Sequence, residues 1–167
     1  MDLNLGYTQE LIKAGEAKGL LRNQLAYLLA TAYHETAHTM KPVAEGYWIK
    51  NAEAWRKKNL RYYPWYGRGF VQLTWEANYK KASQELGVDL INNKDLAMDP
   101  TVAAKIAVLG MVEGWFTGKK LSDYCTLGKS DFLNARRIIN GMDAAAKIAG
   151  YAEQYDADLK KNGYGEE

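Results

Sequence analysis

Residues 34–38 read His-Glu-Thr-Ala-His. Two chemistries fit that string. On a helix, histidines at i and i+4 share a face and can hold zinc, with Glu35 as general base. Alternatively, Glu35 is a proton donor with no metal beside it. The chain has only two histidines, so a third zinc ligand would have to be a carboxylate. Glu45 and Glu53 qualify by type, but neither sits in a ligand motif. At about 100° per residue, Leu25, Leu28, Leu29 and Ala32 form one stripe, and His34 and His38 point nearly opposite. Glu35 lies on the flank of the stripe, where a helix side faces a groove. The residues favour the metal-free reading.

Glu45 follows Glu35 by ten residues, beyond Pro42 and just before Gly46. That spacing lets the chain leave a helix and return a second carboxylate across a cleft. Glycoside hydrolysis uses such a pair. One carboxyl, its pKa raised by burial, protonates the leaving oxygen. The other stays ionised and activates water. Glu35, among leucines and tyrosines, suits the acid, and Glu45, on a turn, suits the base. Spacing alone favours two surface glutamates, because a chain this long offers many pairs. Residues 60–73, LRYYPWYGRGFVQL, add weight. Tyr62, Tyr63, Trp65 and Tyr66 offer flat faces for sugar rings, and Gly67 and Gly69 permit close backbone approach. If extended, Gln72 and Thr74 face one way and Val71 and Leu73 the other. For Trp65 and Phe70, core packing is the competing reading.

The elements that must position these residues are mostly helical. Periodicity and capping signals predict helices at 8–19, 22–39, 51–58, 75–86 and 100–116. Asp99-Pro100 supplies the cap and first position of the 100–116 helix. Another helix should start at Ser130 or Asp131 and end near Asn140-Gly141, and a last one should run from Asp143 to about Lys160. The expected fold class is mainly α, with two helical lobes around a cleft and a small irregular or β element at about 60–73. One catalytic domain over 1–167 is expected, with no separate wall-binding domain.

Composition narrows the partners. The 167 residues are 47% hydrophobic and carry a net charge of +2. Between Lys50 and Arg68, six basic residues stand against Glu53, a local +5 on a body of −3. Such a segment suits an anionic partner or a solvated loop. Cys125 is the only cysteine, which rules out an intrachain disulfide. No run is long enough to span a membrane, and the N-terminus lacks a signal-peptide pattern.

The blocks AYLLATAYHETAHT, YYPWYGRGFVQLTWEANY, LGVDLINNKDLAMDP and RRIING, in that order, resemble family 19 glycoside hydrolases, the group of plant-type chitinases and phage or prophage endolysins. The resemblance runs from about Leu25 to Tyr155. It implies a lysozyme-like α+β fold and an inverting mechanism with no cofactor and no metal. It places the acid on Glu35. The second glutamate falls on Glu45 by the phage-type pattern or on Glu53 by the plant-type pattern. Thr74 would hold the attacking water. Arg68, Gln72, Asn78 and Asn140 would contact substrate, and Tyr66 would be the cleft aromatic. The plant enzymes also have a last-helix arginine that organises the acid through an acidic partner. Asp143 and Lys147 are the substitutes here, as an i,i+4 pair, unless Asp143 is only a cap and Lys147 is solvated.

Small size, no signal peptide and no disulfide favour a muramidase-type endolysin. It would be made in a bacterial cytoplasm, released by a holin-type route, and act as a monomer on peptidoglycan glycan strands. Chitin oligomers are the alternative substrate. Nucleic acid is not the expected partner. A zinc peptidase and a non-catalytic wall-binding module are the rival classes.

Overall fold

The helix that carries Glu35 is wrapped on nearly every side. In the computed structural model, which describes residues 1–165, α1 spans Thr8–Ala17 and α2 spans Arg22–Glu35. Every α2 residue from Leu25 to Ala32 is buried. The predicted stripe is therefore only part of its apolar surface, and Ala26, Tyr27 and Ala30 cover the rest. Its main neighbour is α7 (Ala145–Lys161).

α2 stops at Glu35, four residues before the predicted end. Ala37, His38 and Met40 adopt positive φ angles that no helix tolerates. The buried Thr36 holds this reversal. Its Oγ1 donates to the Ala32 carbonyl at 2.8 Å and accepts from the Met40 N–H at 2.9 Å. The chain then runs into β1 (Val43–Ala44), α3 (Ala52–Asn59) and β2 (Arg68–Gly69). β1 and β2 pair antiparallel, Val43 opposite Gly69 and Ala44 opposite Arg68. The element expected at 60–73 is thus a loop that closes as a tight turn. Arg68 and Leu73 exchange backbone hydrogen bonds at 3.1 and 2.9 Å.

α4 (Glu76–Leu86) and a 3₁₀ turn (Lys94–Met98) lead to α5 (Pro100–Glu113). The Asp99 carboxylate accepts from the Val102 N–H at 3.1 Å, as the sequence predicts. α5 ends on Gly114 in the left-handed region, so 114–116 is not helical. α6 (Leu121–Tyr124) and a β3–β4 hairpin (Cys125–Thr126 with Lys129–Ser130) follow, none of them predicted. The helix expected after Ser130 is only a 3₁₀ turn, Asn134–Ile138, begun where Asp131 accepts from the Asn134 N–H. Asp143 does not cap α7. Ala144 occupies that position with φ +57 and no side-chain cap.

Two apolar clusters share α5. The larger joins α1, α2, α5 and α7 through residues such as Leu11, Leu28, Ala107 and Ile148. The smaller gathers Leu73, Tyr79, Leu90, Ile106 and Trp115. These are the two helical lobes. Phe70 is core, at 1% exposure.

Arg68 pins the smaller lobe to the β1–β2 pair. It is 5% exposed. Its Nη1 donates to the Pro64 carbonyl at 3.1 Å and the Tyr79 hydroxyl at 2.8 Å, and its Nε to Asp95 at 3.1 Å. The expectation that Arg68 meets substrate is therefore corrected, since the residue is buried and its Nε and Nη1 donors are taken up inside the fold. Arg68→Leu should strand those acceptors and cost about 2 kcal/mol, lowering the thermal midpoint by ~4–8 °C. The Asp95 side chain is 81% exposed, so Asp95→Asn should cost no more than about 1 kcal/mol. Calorimetric melting of both variants checks the contrast.

Candidate active site

A cleft of about 270 Å³ opens beside the end of α2. Glu35, Phe116, Ile139 and Asn140 line it from one set of elements, and Tyr62, Val71, Gln72, Thr74, Trp75 and Asn78 from another. Of the residues expected from sequence, the structure brings Glu35, Gln72, Thr74, Asn78 and Asn140 together here. Glu45, Tyr66, Arg68, Asp143 and Lys147 do not line it.

Glu35 is half-buried, and its Oε1 lies 3.4 Å from Nη1 of Arg136. Arg136 is 2% exposed. Its Nε donates to the Asp143 carbonyl at 2.6 Å, and its Nη2 lies 3.8 Å from the Asp143 carboxylate. The cation beside the acid is thus Arg136, on the 3₁₀ turn, and not Lys147. Among the described residues Asp143 and Lys147 form no ion pair; Asp143 serves Arg136 instead. Sequence reasoning quoted RRIING without assigning its first arginines. No local signal in that block says which arginine turns inward, because its partners Glu35 and Asp143 lie on other elements.

Glu45 is fixed just behind the cleft wall. Its Oε1 accepts from the Gly67 N–H at 2.9 Å and its Oε2 from the Tyr62 hydroxyl at 2.6 Å. Its backbone is tied twice, donating to the Gly67 carbonyl at 2.7 Å and accepting from Arg56 Nε at 2.6 Å. Burial, and then the Glu45 hydrogen bond, push the Tyr62 phenol well above its ordinary pKa, so it remains a donor. Tyr62 links Glu45 to the cleft that Glu35 lines. Glu53 is placed differently. It accepts from the Tyr63 hydroxyl, from Tyr66 at 3.4 Å and from Arg56 at 3.3 Å. The Tyr63 hydrogen bond is the largest cause holding its carboxyl below the usual range.

The turn residues are mutually braced. Thr74 Oγ1 donates to the Gln72 carbonyl at 2.9 Å, and Asn78 Nδ2 donates to the Thr74 carbonyl at 3.0 Å. Thr74 does not cap α4. Trp75 takes that place, with φ +76 and ψ +141 and no side-chain cap. That is a costly conformation for a bulky residue, on the order of 1–3 kcal/mol, and it holds an indole 44% exposed at the cleft. Gln72 Nε2 donates to the Val43 carbonyl at 2.9 Å, and a Cβ at Gly67 would sit 2.6 Å from its Oε1. A side chain at 67 would have to displace Gln72 from this hydrogen bond. Tyr66 is 6% exposed, its ring 3.8 Å from the Arg68 guanidinium and 4.5 Å from that of Arg56. It is therefore interior, and the aromatics that line the cleft are Tyr62, Trp75 and Phe116.

The two histidines do not form the helical pair that zinc requires. His38 lies beyond the helix end, stacked on Tyr33 at 4.3 Å, with Nε2 at 3.1 Å from the Tyr151 hydroxyl. Among the described residues, no group of three His, Cys, Asp or Glu side chains is arranged to hold a metal ion. Also among them, no helix is long and apolar enough to cross a membrane.

An acidic residue braced by a buried cation thus lies in a polar and aromatic cleft between two helical lobes. The profile of glycosyl hydrolase family 19, chitinase class I, matches residues 14–127, and the chain belongs to that family. Chitinase 8 of Oryza sativa subsp. japonica is 31% identical over 144 residues, 83% of this chain and 51% of that protein. Chitinase 11 of the same plant is 33% identical over 129 residues, covering 62% and 48%. The chain thus spans about half the length of these curated relatives. An inactive chitinase-like protein 1 of Hevea brasiliensis also matches, 49% identical over 45 residues, 26% of this chain and 14% of that protein. The crystal structure of chitinase C from Streptomyces griseus HUT6037 superposes with a TM-score of 0.67 at 22% identity, over 91% of this chain and 68% of that one. This likeness establishes the fold.

With two histidines, the site reports on itself by proton NMR. Burial first, then Arg136 and Lys147, hold the His34 imidazole below the ordinary histidine pKa. His34 should therefore titrate below ~6.5, and Lys147→Met should move it upward. A His34 resonance titrating above that value would contradict the packing described.

Proposed function

We propose that this chain hydrolyses β-1,4-linked N-acetylhexosamine glycans with inversion. Glu35 is the acid, giving its proton to the glycosidic oxygen as the C–O bond breaks. Glu45, held behind the cleft wall by Tyr62, is the base. As water attacks the opposite face of the sugar, it gives a proton to the Tyr62 hydroxyl, which lines the cleft, while that hydroxyl passes its own proton to the Glu45 carboxylate. Arg136 orients the Glu35 carboxyl, and Tyr62 holds the Glu45 carboxyl. Thr74 spends its own proton on the Gln72 carbonyl, so its oxygen retains lone pairs to accept from the attacking water. Asn78 and Asn140 offer further amide groups to the sugar. The observation that carries this reading is the half-buried Glu35 paired with nearly inaccessible Arg136 in a cleft whose wall residue Tyr62 grips a second carboxylate.

Two substrates follow. Family membership and the relatives' names favour chitin oligomers. The +5 segment, one of whose arginines stands at the cleft, favours peptidoglycan strands as the second reading. Digesting chitin hexamers and purified peptidoglycan, with mass spectrometry of the new ends, decides between them. Release of neither product would sink the proposal.

Glu35→Gln should keep the fold and lose ~10²–10⁴-fold in kcat, because an amide cannot donate the proton. Glu45→Gln should lose at least ~10²-fold, while Glu53→Gln should be nearly silent. Steady-state kinetics with a thermal melt on each preparation checks this; the reverse order for Glu45 and Glu53 would move the base to α3. Activity should persist in EDTA, and a loss restored by zinc would contradict the mechanism.

A further inference from the structure

Arg61 lies two residues beyond α3, at the edge of the cleft. Its guanidinium carbon stands 5.2 Å from the centroid of the Trp75 ring. Trp75 packs in turn on Tyr62 at 4.7 Å, and both rings line the cleft that holds Glu35. Arg56, Arg68 and Arg136 each have a carboxylate partner. Among the described residues Arg61 has none, and it is exposed. A charge stacked on a cleft aromatic with its donors still free is poised to bind an anion. Stacking restricts the side chain, so less freedom is lost when it binds.

We propose that Arg61, stacked on Trp75, recognises a carboxylate borne on the glycan and makes this cleft select anionic N-acetylhexosamine strands over neutral chitin. Chitin has no charged group, so it leaves this guanidinium with water alone. A carboxylate would meet it through paired N–H donors. Two sources share that chemistry. In peptide-free strands of alternating N-acetylglucosamine and N-acetylmuramic acid, the lactyl group ends in a free carboxylate. In intact peptidoglycan the lactyl carboxyl is amide-linked, and the carboxylates belong to the stem peptide. The inference rests on the glycosidase reading and, of its two substrates, on the second.

The test compares the wild-type protein with Arg61→Gln on three substrates: chitin hexamer, peptide-free strands and intact peptidoglycan. The ratio of kcat/KM for the carboxylate-bearing strand over chitin should fall about three- to tenfold. The change should lie in KM more than kcat and shrink at high salt. A fall on peptide-free strands assigns the lactyl carboxylate, and a fall on intact peptidoglycan alone assigns the stem peptide. Equal losses on all three substrates, or no loss, would overturn the proposal. Calorimetric binding to Glu35→Gln, with and without Arg61→Gln, separates this from the parent reading. Selective weakening of carboxylate-bearing strands supports the role of Arg61 even if hydrolysis is never seen. Equal weakening, or no affinity for those strands, overturns it.

Discussion

A guanidinium with 2% of its surface exposed must have acceptors, because a buried charge without them is too costly to keep. Arg136 finds its acceptors in the Asp143 carbonyl and the Glu35 carboxylate. The pair joins the last residue of α2 to the 3₁₀ turn and to the entry of α7, the helix against which α2 is packed. Much of the fold's geometry near the cleft follows from satisfying this one cation. It fixes Asp143 as a backbone acceptor rather than a helix cap, and it places Asn140 and Ile139 at the cleft edge beside Glu35.

The second carboxylate is held by different means. Its anchor is backbone: β1 pairs with β2, and Glu45 exchanges hydrogen bonds with Gly67 through both main chain and side chain. The loop between them brings Tyr62 back to the same carboxylate. Gln72 and the buried Arg68 brace that loop from two directions. One carboxyl thus sits at the end of a rigid helix, and the other in a short hydrogen-bonded frame. Such separate supports let two like groups have different surroundings, which acid–base chemistry at one bond requires.

Legibility in the sequence followed the range of the interactions. Helices with long apolar periods and a local cap, such as α5 behind Asp99, were readable to the residue at the capped end and to within three residues at the other. So was the place of Glu35 on a helix flank beside a groove. The end of α2 was not, because Thr36 stops it through a buried side-chain bridge to Met40. Short elements such as β3 and β4 carry too few residues to show a period. Arg136 was missed, and Arg68 and Tyr66 were misplaced, for one reason: whether an arginine or tyrosine faces substrate or core depends on partners far along the chain. Family resemblance supplied the motif but not that orientation.

The central claim is that Glu35 and Glu45 act from opposite faces of the scissile bond. Proton NMR of the first turnovers on a β-linked N-acetylglucosamine oligomer tests it directly. The account predicts that the new reducing end appears first as the α-anomer and then mutarotates. A β-anomer at first appearance would mean retention and would contradict Glu45 as the base.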